Sequence, residues 1–157
     1  MPASLIADWI IEGRNDFMII DIRSEKEYEN GHLPGAIHSS IEELSEPETL
    51  DGLPDYKKLV FYEEDNGFDG SKLYPVFARG LHVLIIRYGY KGWVEKVLEP
   101  SGSHEALEAA RMDAVAKYFK GESILGTPRP LTDIPAQEFV QKPKLKKRKK
   151  KYVNEGC

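Results

Sequence analysis

Cysteine is almost missing from this chain: of 157 residues, only the last, Cys157, carries a thiol. No disulfide can form within one chain, and no cysteine-based metal cluster can be assembled. Long hydrophobic runs are also lacking. None approaches the roughly 20 apolar residues that cross a bilayer, so no transmembrane segment is expected. The N-terminal MPASLIADW has neither the basic head nor the small-residue cleavage site of a signal peptide, and a cytoplasmic location is the expectation. Ser39, Ser40 and Ser71 have no nucleophile elbow around them. Of the four histidines, His82 and His104 have no partner visible in the sequence, while His32 and His38 flank a turn and read as structural. No metal and no cofactor is expected.

What is present is one core's worth of apolar residues, 41% of the chain, enough for a single globular domain. Charge is divided unevenly. Residues 142–157 hold seven Lys, one Arg and one Glu, a charge of +7; with −4 for the whole chain, the remainder carries −11. An acidic body is thus followed by a basic tail, whose run of like charges and scarcity of apolar residues predict disorder.

Leu5, Ile6, Trp9, Ile10 and Ile11 form a helical stripe over 4–12 that Gly13 can end. Phe17 to Ile22 is a short apolar run of the kind found in a central, doubly covered strand. Ser24 and Glu27 have capping-box spacing and predict a helix through Tyr28, and the glycines and proline of Gly31 to Gly35 allow a tight turn. Ile41 to Leu44 reads as one helical turn and Glu46 to Asp55 as a loop. Further on, Lys58 to Tyr62 reads as a strand, Ser71 to Arg79 as a helix broken by Pro75, His82 to Arg87 as a third central strand, and Tyr90 to Leu98 as a helix. Alternation of strands with helices favours a mainly parallel sheet covered on both faces. His104 to Lys120 is periodic, with Leu107, Ala110, Met112, Val115 and Phe119 on one apolar face. Gly126 to Pro135, with Pro128, Pro130 and Pro135, should run extended, and Thr132 to Val140 offers one more short helix.

The order from Met18 to Ser39, MIIDIRSEKEYENGHLPGAIHS, resembles the opening signature of the rhodanese family: a strand ending in Asp21, then Arg23, a short acidic helix and a Gly31-His32-Leu33-Pro34-Gly35 turn. Ile86 to Trp93 resembles the paired-glycine and tryptophan segment that closes such domains, with Tyr88 where the first glycine belongs. The resemblance implies an α/β, rhodanese-like three-layer fold over residues 1–100. A helical and extended C-terminal extension, 101–141, and the basic tail, 142–157, would follow. It also implies a structural motif of Asp21, Arg23, Glu27, Gly31, His32, Gly35, Gly89 and Trp93, in which Asp21 and Arg23 brace the strand ends rather than do chemistry.

Rhodanese-type sulfur transfer needs a thiolate, stabilised by loop amides and a helix N-terminus, to store sulfur as a persulfide. The family places that cysteine in the loop after the strand matching Lys58 to Tyr62. Here Glu63 stands at the cysteine position, and the loop reads Glu63, Glu64, Asp65, Asn66, Gly67, Phe68, Asp69, Gly70, Ser71. It holds four carboxylates and no arginine, so its field repels thiosulfate, phosphate and arsenate. Asp65, Asp69 and Gly70 match three positions of a calcium loop, but Gly67 and Val76 occupy ligand positions, which speaks against calcium. A structural expectation is that Glu63 folds back onto the following helix N-terminus and fills the anion cradle.

These residues lead to a catalytically inactive rhodanese-like module with an interaction or regulatory role, binding an unknown protein partner at the acidic face. Two alternatives accompany it. In one, Cys157 on its electropositive arm is the thiol of a divergent sulfurtransferase or sulfur carrier, trading sulfur with a donor or acceptor protein. In the other, residues 142–151 bind polyanions weakly and the chain is an accessory to nucleic acid or membrane.

Overall fold

A computed structural model describes residues 1–65, 67, 69–102 and 105–121. Four parallel strands make one sheet in the order β2-β1-β3-β4: β1 Phe17–Asp21, β2 Ile37–His38, β3 Lys58–Tyr62 and β4 His82–Ile85. The parallel sheet follows from the connections, since a helix or helical turn lies between each strand and the next. β1 and β3 are central, paired over their whole length from Phe17 opposite Lys58 to Asp21 opposite Tyr62. The third predicted strand is shorter than expected and lies at the sheet edge, its first residue exposed.

Alternation along the central strands sorts the side chains into two cores. Phe17, Ile19, Val60 and Tyr62 face one side, where they meet Ile6 and Trp9 of α1 (Ala3–Ile11), Trp93 of α5 (Gly89–Trp93) and Phe119 of α6 (Ala106–Phe119). Ile20, Leu59 and Phe61 face the other, against Leu44, Leu50, Leu73 and Val76. Helical elements therefore cover both faces, as the sequence predicts.

The second layer contains more helix than its sequence promises. Glu46 to Asp55 reads as a loop, yet α3 occupies Pro47–Gly52. Pro47 in the first turn brings a helical φ at no hydrogen-bond cost, and Leu50 buries itself against the sheet. Glu43–Ser45 forms a 3₁₀ turn. Pro75 does not break a helix in its middle. A 3₁₀ turn at Gly70–Leu73 leads into α4, Tyr74–Ala78, and Pro75 sits in the first turn of α4, where it is tolerated. α5 runs on into a π-helical turn at Val94–Leu98.

α6 differs from its predicted apolar face. Leu107 is 86% exposed, while Ala116 and Phe119 are buried, the latter edge-on to Trp93 at 4.9 Å. Only the C-terminal half of this helix reaches the core, and Leu107 and Ala110 in the first half are exposed. The expected extended segment at 126–135, the short helix at 132–140, the basic tail and Cys157 lie outside the described residues.

Candidate functional site

The C-terminal ends of β1 and β3 meet at a buried polar cluster. Asp21 and Tyr62 are register partners, so their side chains leave the sheet on the same face, and the Tyr62 hydroxyl donates to Asp21 Oδ2 at 2.5 Å. Two residues on, where the strand has ended, Arg23 turns back. Its Nε and Nη2 donate to Asp21 at 3.0 and 2.7 Å, and its backbone amide reaches Asp21 Oδ1 at 3.0 Å. Asp21 is wholly buried and Arg23 nearly so, which a charged pair survives only when its hydrogen bonds are satisfied.

Arg23 uses its remaining donors to tie three further segments together. Nη2 donates to the Gly31 carbonyl at 2.6 Å, and Nη1 to Glu64 Oε2 at 3.0 Å. The guanidinium also lies 4.0 Å from the centroid of the Tyr90 ring, a cation–π contact with α5. Burial works against the charge of Arg23, but the bonds to Asp21 and Glu64 outweigh it and hold the pKa above its ordinary value. Burial, reinforced by the negative charge and hydrogen bond of Asp21, pushes the Tyr62 hydroxyl well above the usual tyrosine range. Tyr62 is thus a fixed donor to Asp21, and it accepts from the Leu33 amide at 3.1 Å.

The turn between α2 (Glu25–Asn30) and β2 is held by its neighbours. The capping box is present: Ser24 accepts from the Glu27 amide, and Glu27 accepts from the Ser24 backbone and hydroxyl. His38 Nε2 lies 2.7 Å from the Arg23 carbonyl, while His32 stacks on Tyr28 at 3.9 Å and places Nδ1 2.9 Å from its carbonyl. Both imidazoles thus sit against backbone carbonyls around the turn. Gly31 lets Tyr90 come close, since a Cβ there would lie 2.5 Å from the Tyr90 hydroxyl and the ring would have to shift, and Gly35 turns with φ +74°.

The loop after β3 begins fastened by its backbone. The carbonyls of Glu63 and Glu64 accept from the amides of Tyr90 and Lys91 at 2.8 Å each, which takes up donors at the start of α5. Gly89 permits that approach, since a Cβ would stand 2.1 Å from the Glu63 carbonyl oxygen. The expectation that the Glu63 carboxylate fills the next helix N-terminus is corrected: Asp69 does so, with Oδ1 accepting from the Ser71 amide at 2.9 Å and Oδ2 from its hydroxyl at 2.7 Å. Asp69 is two residues from the amide it caps, a spacing that favours it over Glu63. Asp65 closes a local turn by accepting from the Gly67 amide at 2.8 Å. Asp65 and Asp69 are thus spent on short-range turns, while Glu64 reaches the buried Arg23. Asn66 and Phe68 fall outside the described residues.

Asp21, Arg23, Gly31 and Gly89 thus come together with Glu63 and Glu64 at one end of the sheet. Trp93 lies behind them in the core, and Glu27, His32 and Gly35 shape the adjoining turn. Tyr62 and Tyr90 complete the cluster, and the sequence reading passed over both. Tyr62 had one available signal: a polar aromatic ending a strand whose parallel neighbour ends in Asp. Arg23 also supplies, from the previous crossover, the cation that the loop lacks, but it arrives already paired. Among the described residues no group of three or more His, Cys, Asp or Glu is gathered to hold a metal, and no helix is long and apolar enough to cross a membrane.

A family model described as the rhodanese-like domain matches residues 5–96. Solved structures share the fold. A rhodanese-related protein of Thermoplasma volcanium is 19% identical with a TM-score of 0.51, over 60% of this chain and 88% of its own. The rhodanese-like domain of an Anabaena protein is 22% identical at 0.53, over 67% and 86%. A protein of Bacillus halodurans is 19% identical at 0.54, over 71% and 88%. No curated protein matches the chain.

Proposed function

The chain belongs to the rhodanese-like domain family, and from that membership we propose that it is a member without sulfur-transfer chemistry in its loop, acting as an interaction module. The observation that carries this reading is the state of the buried cation near the loop, Arg23. Arg23 is consumed by Asp21, Glu64 and the Gly31 carbonyl, while Glu63 stands where the family's nucleophile would be. A thiosulfate-like anion arriving there meets carboxylates and an arginine that is already paired, and a carboxylate cannot carry sulfur as a persulfide. The loop's exposed acids instead favour a partner with a basic surface, recognised by charge.

The test is intact-mass analysis of the full chain and of Cys157→Ser after thiosulfate, then after cyanide. No cyanide-removable sulfur in either protein is the expected outcome. Sulfur gained by the full chain and lost with Cys157 would instead install the terminal thiol as the carrier. Partner capture is tested best with Asp65→Lys. Glu64 is bonded to Arg23, so reversing its charge disturbs the fold as well as the surface, whereas Asp65 closes only its own turn. Unchanged capture by Asp65→Lys would count against this face.

A further inference from the structure

The helix beyond the family match builds a wall of a second site. α6 starts ten residues after the match ends at 96. Together with α1 and the stretch from Arg87 to Val97, it lines a half-open cleft of about 340 Å³, within the size range of small-molecule sites, roughly 300–1,000 Å³. The walls are small and apolar: Ala3, Ala7 and Val97 are buried there, and Met112 and Val115 close it from α6. No described residue of the acidic loop from Glu63 to Ser71 lines it.

The cavity's charge runs against that of the chain. Acidic residues outnumber basic ones, 26 to 22, yet the lining holds Arg87, Lys96 and Arg111 against Asp8 and Glu108. Arg111 is committed to Asp8 at 2.8 Å, a bond that ties α6 to α1. Arg87 and Lys96 make no side-chain hydrogen bond or ion pair among the described residues. Tyr88 also lines the cavity, half-exposed, and is the one non-glycine among the described residues with a positive φ, +63°. The left-handed conformation is strained for a tyrosine, and such strain gathers at ligand sites.

We propose that this cavity binds a small organic anion, a body of a few carbons seated on the apolar walls, with its carboxylate or phosphoryl head held by Arg87 and Lys96. Isothermal titration of the full chain with hexanoate and with hexyl phosphate tests it, with hexanol and inorganic phosphate as references. Saturable one-to-one binding of either organic anion is expected, at least tenfold tighter than hexanol or inorganic phosphate; the tighter of the two identifies the head group. Arg87→Gln with Lys96→Gln should weaken that binding tenfold or more, and both side chains are exposed, so the fold is retained. Met112→Trp, which fills the cavity, should abolish it. Absence of binding by both organic anions overturns the proposal. So does binding that survives the double variant, equal binding of hexanol, or inorganic phosphate binding as tightly as hexyl phosphate.

Discussion

Two sets of charges gather at the same end of the sheet, and they do opposite things. Asp21 and Arg23 have side chains 0% and 3% exposed and are held by five or more hydrogen bonds between them and their neighbours. The carboxylates of Asp65 and Asp69 lie in the exposed loop and bond only within it. In the first set, the absence of water makes every unmet bond expensive, so the charges define geometry. In the second, water solvates the charge whatever the loop does, so the same chemical group is left available to a partner. Glu64 stands on the boundary, 52% exposed yet bonded to a buried arginine.

The buried set breaks hardest. Arg23→Met leaves Asp21 ionised without its counterion and should cost about 3–5 kcal/mol, lowering Tm by on the order of 10 °C. Thermal and urea denaturation measure it. The double variant Asp21→Leu with Arg23→Met should cost less than the two single losses added, because it leaves no orphaned charge. A single Arg23→Met that melts with the wild type would erase the distinction between the two regions. Gly89→Ala strikes the seam where they join. The new methyl would press on the Glu63 carbonyl, and we expect a loss of about 2–3 kcal/mol, read by the same unfolding curves.

The periodicity that places Phe17, Ile19 and Val60 on one face and Ile20, Leu59 and Phe61 on the other follows from strand alternation alone, and the motif from Asp21 to Gly35 is local enough to read directly. What the chain does not spell out is contact between distant segments. Tyr62 is written as one more apolar strand residue, and only the register with β1 turns it into a donor for Asp21. Glu64 looks like its neighbours until Arg23, 41 residues earlier, is seen to reach it. α3 escapes notice because Pro47 and Gly52 are loop residues by composition, and only the burial of Leu50 makes a helix of them. The outward turn of Leu107 has the same origin: helical period tells which residues share a face, not whether anything stands opposite.

The capping box at α2 offers a smaller effect with a pH signature. Ser24→Ala should cost about 1 kcal/mol at neutral pH. The Ser24 hydroxyl and amide hold the Glu27 carboxyl below its ordinary value near 4.5. A depressed carboxyl contributes stability above its unfolded pKa and loses it as pH falls through the folded one. The gap between wild type and Ser24→Ala should therefore narrow below about pH 4.5, and denaturation curves between pH 3 and 7 check it.

Glu64 gives the finest test because it belongs to both regions. Were it simply a surface carboxylate, Glu64→Gln, Glu64→Ala and Glu64→Lys would be equivalent within a few tenths of a kcal/mol. Bonded to Arg23 at 3.0 Å, it should instead rank them. Glutamine keeps an acceptor for Nη1 and loses only the charge, at less than about 1 kcal/mol, since the pair is half in water. Alanine removes the acceptor, and water replaces it at slightly greater cost. Lysine sets a like charge against a guanidinium that Asp21 and Gly31 prevent from moving away, and should be the worst of the three. Asp65→Lys, one residue further along, should change stability least, because nothing buried depends on it. If Glu64→Lys and Asp65→Lys unfold alike in urea, Arg23 ends its reach at Asp21 and Gly31, and the boundary between the two regions lies before Glu64 rather than on it.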